Sequence, residues 1–129
     1  MQIHQSAEDY LETILMLSQR MGKVRSIDVV NELGFTKASV SIAMKKLREN
    51  GYIAVDGEGN LTLLEPGREI AERIYSRHRL LTHFFVQLGV DEQTAAEDAC
   101  KAEHILSEQT LEKIRESALR NDDAHPQAE

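Results

Sequence analysis

Cysteine, proline and basic charge are what this chain has least of. A single cysteine, Cys100, excludes an intramolecular disulfide framework and fits a reducing, cytoplasmic setting. No apolar stretch approaches the roughly 18 residues of a membrane span, so no membrane partner is expected. Residues 1–6 lack the basic-then-apolar signature of a signal peptide. Two prolines and seven glycines in 129 residues argue against a disordered or collagen-like chain. Basic residues are outnumbered, 15 Lys and Arg against 22 Asp and Glu, for a net charge of −7. Global charge of that sign repels phosphate and excludes a histone-like or polybasic binder. Any contact with DNA must come from a local basic face.

What is present is one domain's length, or a DNA-reading-sized lobe with a helical extension. Apolar residues make up 41%, enough for a small core that calls for a partner surface. Ala7, Tyr10, Leu11, Ile14, Leu15 and Leu17 form a 3.6-residue stripe over about Ser6 to Arg20, with Gly22 as a stop. Ser26 can cap a short second helix carrying Ile27, Val29, Val30 and Leu33, closed by Gly34. Thr36 caps a third, with Val40, Ala43, Met44 and Leu47 inward and Gly51 as its end. Two helices joined by so short a turn read as a helix-turn-helix. The period then changes to two. Tyr52 to Val55 and Leu61 to Leu64 flank the turn residues 56–60, a β-hairpin. Pro66 opens a long fourth helix ending near Gly89. A fifth runs from about Asp91 to Leu106, and Ser107 caps a sixth. The expected fold is mainly α. A winged helix-turn-helix DNA-binding domain spans 1–65, a helical metal-binding and dimerisation domain 66–121, and a polar tail 122–129.

Charge is uneven along this plan. From Arg20 to Asn60 there are seven Lys or Arg against five Asp or Glu; from Leu61 onward there are eight against fourteen. The helix-turn-helix segment is therefore locally basic. If the apolar stripe of the third helix faces the core, its other face offers Ala38, Ser41, Ile42 and Lys45, flanked by Thr36, Lys37, Ser39 and Lys46. Small residues admit the backbone to a major groove, serines donate to phosphates or base edges, and lysines neutralise phosphates. Ile42 suits a thymine methyl. The bland alternative is a solvated helix face with one stray isoleucine. The wing argues the other way, because it carries Asp56 and Glu58 where a phosphate-gripping wing carries Arg or Lys.

A second set of polar residues is not ordinary surface. Cys100, Glu103 and His104 stand at i, i+3 and i+4, on one helical face. Thiolate, carboxylate and imidazole on one face make half of a metal site. Asp9 and Glu12 are spaced i and i+3 beside the apolar stripe of the first helix, and His78 sits between Arg77 and Arg79 on the fourth. Each has a simpler alternative. Asp9 can close a capping box with Ser6, Glu12 and Glu103 can be solvated, and Cys100 can be a small buried hydrophobe.

With these residues the chain resembles the diphtheria-toxin-repressor and manganese-transport-regulator family of metal-activated transcriptional repressors. The likeness covers nearly the whole chain. It is carried by residues 7–12 (Ala-Glu-Asp-Tyr-Leu-Glu), Ala38-Ser39-Val40-Ser41, Leu61-Thr62-Leu63, Arg77-His78-Arg79-Leu80-Leu81, Gly89-Val90-Asp91 and the run from Cys100 to Ser107. The resemblance implies a paired metal site drawing on the first, fourth and fifth helices, with two divalent ions per subunit. Asp9 and Glu12 match first-helix ligands of the manganese branch. His78, Glu103 and His104 match ligands of both branches. Cys100 departs from the manganese branch, which has glutamate there, and matches the iron branch, which in turn has methionine where Asp9 stands. The ligand set is a hybrid. It leaves Mn2+ or Fe2+ as the cation, with Zn2+, Co2+ and Cd2+ as in vitro substitutes and no organic cofactor. The C-terminus is too short for the SH3-like domain of iron-responsive members, as in the compact manganese type. The expected function is a metal-activated repressor binding double-stranded operator DNA as a homodimer. Its rivals are a winged-helix regulator of a small organic ligand, a winged helix for protein contacts alone, and a small metallohydrolase. The last lacks a positioned base, so no enzyme is expected.

Overall fold

The structure, a computed structural model, describes residues 5–124, with side chains described over 6–120. The leader reading of residues 1–4 and the tail expected over 122–129 lie outside the described side chains. The chain divides into two compact units, residues 1–73 and 74–129.

The first unit is the expected winged helix-turn-helix. Helix α1 (Gln5–Met21) is followed by β1 (Val24–Arg25), α2 (Ser26–Leu33), α3 (Lys37–Glu49), β2 (Ile53–Val55) and β3 (Asn60–Leu63). The stripe of α1 buries Tyr10, Leu11, Ile14, Leu15 and Leu17 together with Val29 of α2 and Val40, Met44 and Leu47 of α3. Thr36 caps α3 as its sequence implies, its hydroxyl accepting the Ser39 N–H at 3.1 Å. Two expected caps are displaced. Ser26 is already helical; Arg25 holds the cap position of α2, and its N–H donates to Asp28 Oδ2 at 2.9 Å. Ser6 lies inside the first turn of α1, because that helix already includes Gln5. One strand is new. β1 pairs antiparallel with β3 (Val24 with Leu61, Arg25 with Asn60), giving a three-stranded sheet in the order β1-β3-β2. Two residues are too short to show a period of two, so only the buried Val24 beside an exposed Arg25 marks it.

Helix α4 (Glu65–Gln87) begins in this unit. Gly67 is buried against the backbone of Tyr52, where a Cβ would collide with the carbonyl oxygen. That contact seats the first turn of α4 on the hairpin.

The second unit holds the rest of α4, α5 (Glu92–Ala102) and α6 (Glu108–Ala124). Leu81, Ala99 and Leu111 form its buried cluster, packed against by Leu80, Phe85, Ala102, Leu106 and Ile114. Asp91 caps α5 by accepting from the Thr94 N–H, and Ser107 Oγ accepts from the Thr110 N–H at the start of α6. α5 stops at Ala102 and not near Leu106, because the chain must turn before the Ser107 cap. Glu103 closes it in helical conformation (φ −59°, ψ −22°), its N–H still bonded to the Ala99 carbonyl. The relation of Glu103 to Cys100, one turn earlier, therefore survives the shortening. No described helix is long and apolar enough to cross a membrane.

Candidate metal centre and DNA-reading face

Glu103 is a charged side chain with 0% exposure. Its main-chain carbonyl accepts from Arg77 Nη1 at 3.1 Å, and the same guanidinium pairs with Glu108. One arginine of α4 thus fixes both the end of α5 and the start of α6. On the side chain, Oε2 lies 3.1 Å from His78 Nδ1. Oε1 is buried and makes no hydrogen bond among the described residues. His104 Nε2 stands 3.5 Å from it, longer than an ordinary N–H···O bond. Cys100 Sγ lies within 4.8 Å of a Glu103 oxygen.

A buried carboxylate oxygen without a donor costs free energy unless something else satisfies it. Two imidazoles, a carboxylate and a thiol are a donor set that suits a divalent transition metal. The second unit therefore brings together four of the six expected ligands. Cys100 is exposed, which overturns its reading as a buried hydrophobe.

The other two, Asp9 and Glu12, lie one turn apart on α1 in the first unit. Glu12 is only 6% exposed and Asp9 is half-buried, so the solvated alternative fails for Glu12. Asp9 is the fifth helical residue, past the first-turn N–H groups that a capping carboxylate serves. Burial, and then the charge of Asp9, push the Tyr10 phenol above its ordinary value.

On α3, Thr36, Lys37, Ala38, Ser39, Ser41, Ile42, Lys45 and Lys46 are all exposed, with Ile42 at 58%. No ion pair among the described residues occupies the three lysines. The acidic wing is resolved by its turn. Asp56 Oδ1 accepts the N–H groups of Glu58 and Asn60, both at 2.9 Å, and Oδ2 accepts from the Asn60 side chain at 3.0 Å. Those bonds hold the Asp56 carboxyl below its usual range, the Asn60 N–H contributing most. Its charge serves the turn.

Sequence reasoning passed over two residues. Arg77 was noted only as a neighbour of His78. Arg25 was hidden in a strand too short to recognise.

A winged helix-turn-helix followed by a helical unit with a Cys/Glu/His cluster around a buried carboxylate is the architecture of a metal-responsive DNA-binding regulator. The comparisons agree. Residues 2–61 match the family described as iron dependent repressor, N-terminal DNA binding domain, and residues 64–129 its metal binding and dimerisation domain. The chain belongs to this iron-dependent repressor family, which is the diphtheria-toxin-repressor and manganese-transport-regulator family of its motifs. It is 37% identical over 113 residues to an uncharacterised HTH-type transcriptional regulator of Methanocaldococcus jannaschii, covering 86% of this chain and 90% of that one. With the HTH-type transcriptional regulator MntR of Bacillus subtilis it shares 34% over 109 residues, 84% of this chain and 77% of the relative. Among solved structures, a manganese-dependent transcriptional repressor in complex with manganese matches at 29% identity and a TM-score of 0.79. That match covers 87% of this chain and 52% of the other. The chain spans about half the length of that repressor and of the manganese regulator SloR.

Proposed function

We propose that this protein is a transcriptional repressor, activated by Mn2+ or Fe2+, that binds operator DNA as a homodimer and controls metal-ion homeostasis genes. The observation that carries the reading is the buried Glu103 oxygen without a hydrogen bond among the described residues, beside His78, His104 and Cys100, in a chain of this family. In this reading the ligands are Asp9, Glu12, His78, Cys100, Glu103 and His104, holding two ions per subunit. Residues 1–65 read DNA and 66–121 bind metal and dimerise. Lys37, Lys45 and Lys46 neutralise phosphates, while Ser39, Ser41 and Ile42 face base edges.

A bound divalent cation supplies positive charge and directed coordination to these donors. Without it, the carboxylates of Asp9 and Glu12, one turn apart on α1, repel each other. Held by these residues, the ion would offset that repulsion, and the recognition helices of a two-fold dimer would have to stand about 34 Å apart, one turn of DNA. Leu88 and Ile105, 65% and 76% exposed in the second unit, support a partner surface there. Metal and DNA then favour each other through one reciprocal coupling, typically about 1–3 kcal/mol. Gel shifts on genomic promoter fragments, with Mn2+, with Fe2+ under anaerobic conditions and with excess chelator, test the reading. It expects retardation that needs the ion. Equal retardation in chelator, or none in any condition, refutes it.

A further inference from the structure

The wing reads as acidic in sequence, yet the structure places two cations at it. Arg25 is the register partner of Asn60, at the end of β3 where the turn begins. Val24 points into the core, so alternation directs Arg25 outward. The Arg25 guanidinium lies over Gly59 of the turn. A Cβ on Gly59 would stand 3.3 Å from Nη2 and 3.4 Å from Nε, and Gly59 also takes a φ of +86°. Glycine is favoured there by its conformation, and a Cβ would press on the guanidinium and displace it by a few tenths of an ångström.

This arginine lies against the turn without an ion pair among the described residues, whereas the neighbouring Arg20 pairs with Glu32 at 2.8 Å. Lys23, exposed beside it, acts electrostatically on Asp56. The turn occupies the Asp56 carboxylate, so among the charged side chains at the wing Lys23 and Arg25 stand against Glu58 alone, and the uncommitted charge there is positive on balance.

We propose that Arg25, assisted by Lys23, is the phosphate-gripping element of the wing, supplied by β1 in place of basic residues in the hairpin. The partner is the DNA backbone, so the proposal rests on the DNA-binding reading above. A guanidinium lying over the turn presents several N–H groups to a phosphate. A phosphate contact of this kind adds affinity without sequence preference and releases a counterion.

The test uses the full chain in Mn2+ and a duplex that it selects from a random-sequence library, with an unrelated duplex beside it. Binding is followed by fluorescence anisotropy from low to moderate salt. Arg25→Gln should weaken binding to both duplexes by a similar factor, about three- to tenfold at low salt. It should also flatten the log–log salt dependence by about 0.9, with the melting temperature and Mn2+ affinity kept. Arg25→Lys should restore the slope. If Arg25→Gln melts early, Lys23→Gln carries the test, since Lys23 is exposed and makes no hydrogen bond or ion pair among the described residues; it should flatten the slope in the same direction. Wild-type slopes in both variants would overturn the proposal and leave Arg25 as a brace for the turn. A wild-type protein that selects no duplex, with or without metal, would fail the DNA-binding reading itself.

Discussion

His78 Nδ1 stands 3.1 Å from one oxygen of the Glu103 carboxylate, while the other oxygen, fully buried, accepts no hydrogen bond among the described residues. A buried carboxylate satisfied on one side only is a poor device for stability, since polar desolvation is repaid only in part. It is a good device for capturing a cation.

The first prediction separates the two roles. Glu103→Gln removes a buried charge and keeps the shape. The metal-free variant should be as stable as the wild type or more so, by up to about 2 kcal/mol. The wild type should gain about 2.7 kcal/mol from an ion at a hundred times its dissociation constant, and the variant should lose most of that gain. Calorimetric melts with and without Mn2+ read both quantities. A variant that kept the full metal-induced shift would remove Glu103 from the site.

Cys100 should set the choice of metal. A thiolate favours later first-row ions, while a carboxylate serves manganese well. Cys100 is exposed, one turn before Glu103, so substitution there need not disturb the core. Cys100→Glu should raise the ratio of Mn2+ to Zn2+ affinity, and Cys100→Ala should weaken Zn2+ more than Mn2+. Titration calorimetry of both variants with both ions gives the ratios. Unchanged ratios would exclude the thiol as a ligand.

The legible parts of this fold were those with a long period or a strong stop signal. The stripe of α1, the Thr36 cap and the glycine-closed helices could be read because each rests on several residues that agree. β1 could not, since a two-residue strand takes its identity from β3, which is distant in sequence. The end of α5 was read too late because Glu103 keeps helical dihedrals after the helix proper has stopped. For the site, spacing alone placed Cys100 beside Glu103. Arg77 was invisible because its role lies in a bond to a main-chain carbonyl 26 residues away, and a carbonyl has no letter in the sequence. The acidic wing misled for a related reason: composition counts the Asp56 charge and cannot show which backbone donors consume it.

Gly67→Ala should destabilise the first unit although it lies in a helix. Elsewhere in a helix the change gains up to about 1 kcal/mol. Here the new methyl meets the Tyr52 carbonyl, a backbone atom that cannot swing aside, at a cost of about 1–3 kcal/mol or more. Chemical denaturation should show a lower midpoint for Gly67→Ala. A gain in stability would mean that α4 is not seated on the hairpin at this point.

Lys45→Ala tests the recognition face independently of the wing. Lys45 is exposed on α3 with no described ion pair, so its removal should change the unfolding free energy by no more than about 0.5 kcal/mol. It should weaken operator binding and reduce the salt slope by about one counterion. Unchanged affinity and slope would take Lys45 out of the interface.

Acid should loosen the wing turn before it unfolds the core. The Asp56 carboxyl is held low chiefly by the Asn60 N–H, with the Asn60 side chain and the Glu58 N–H adding to it. A carboxyl whose folded value is depressed stabilises the fold fully above its unfolded value, near 3.9. That contribution fades as pH falls through the lower folded value. Asp56→Ala should therefore melt below the wild type at pH 6, and the gap should close as the pH drops from about 4 toward 2. Asp91, held low by the Thr94 N–H at the start of α5, should show the same convergence when replaced by alanine and serves as the comparison. A gap that stays constant with pH would mean that the turn uses the Asp56 oxygens as neutral acceptors and gains nothing from their charge. Because the Asp56 turn carries the glycine on which Arg25 lies, Asp56→Ala should also reduce DNA affinity at neutral pH. The cause would then be a displaced guanidinium, and a salt slope flattened as in Arg25→Gln would identify it.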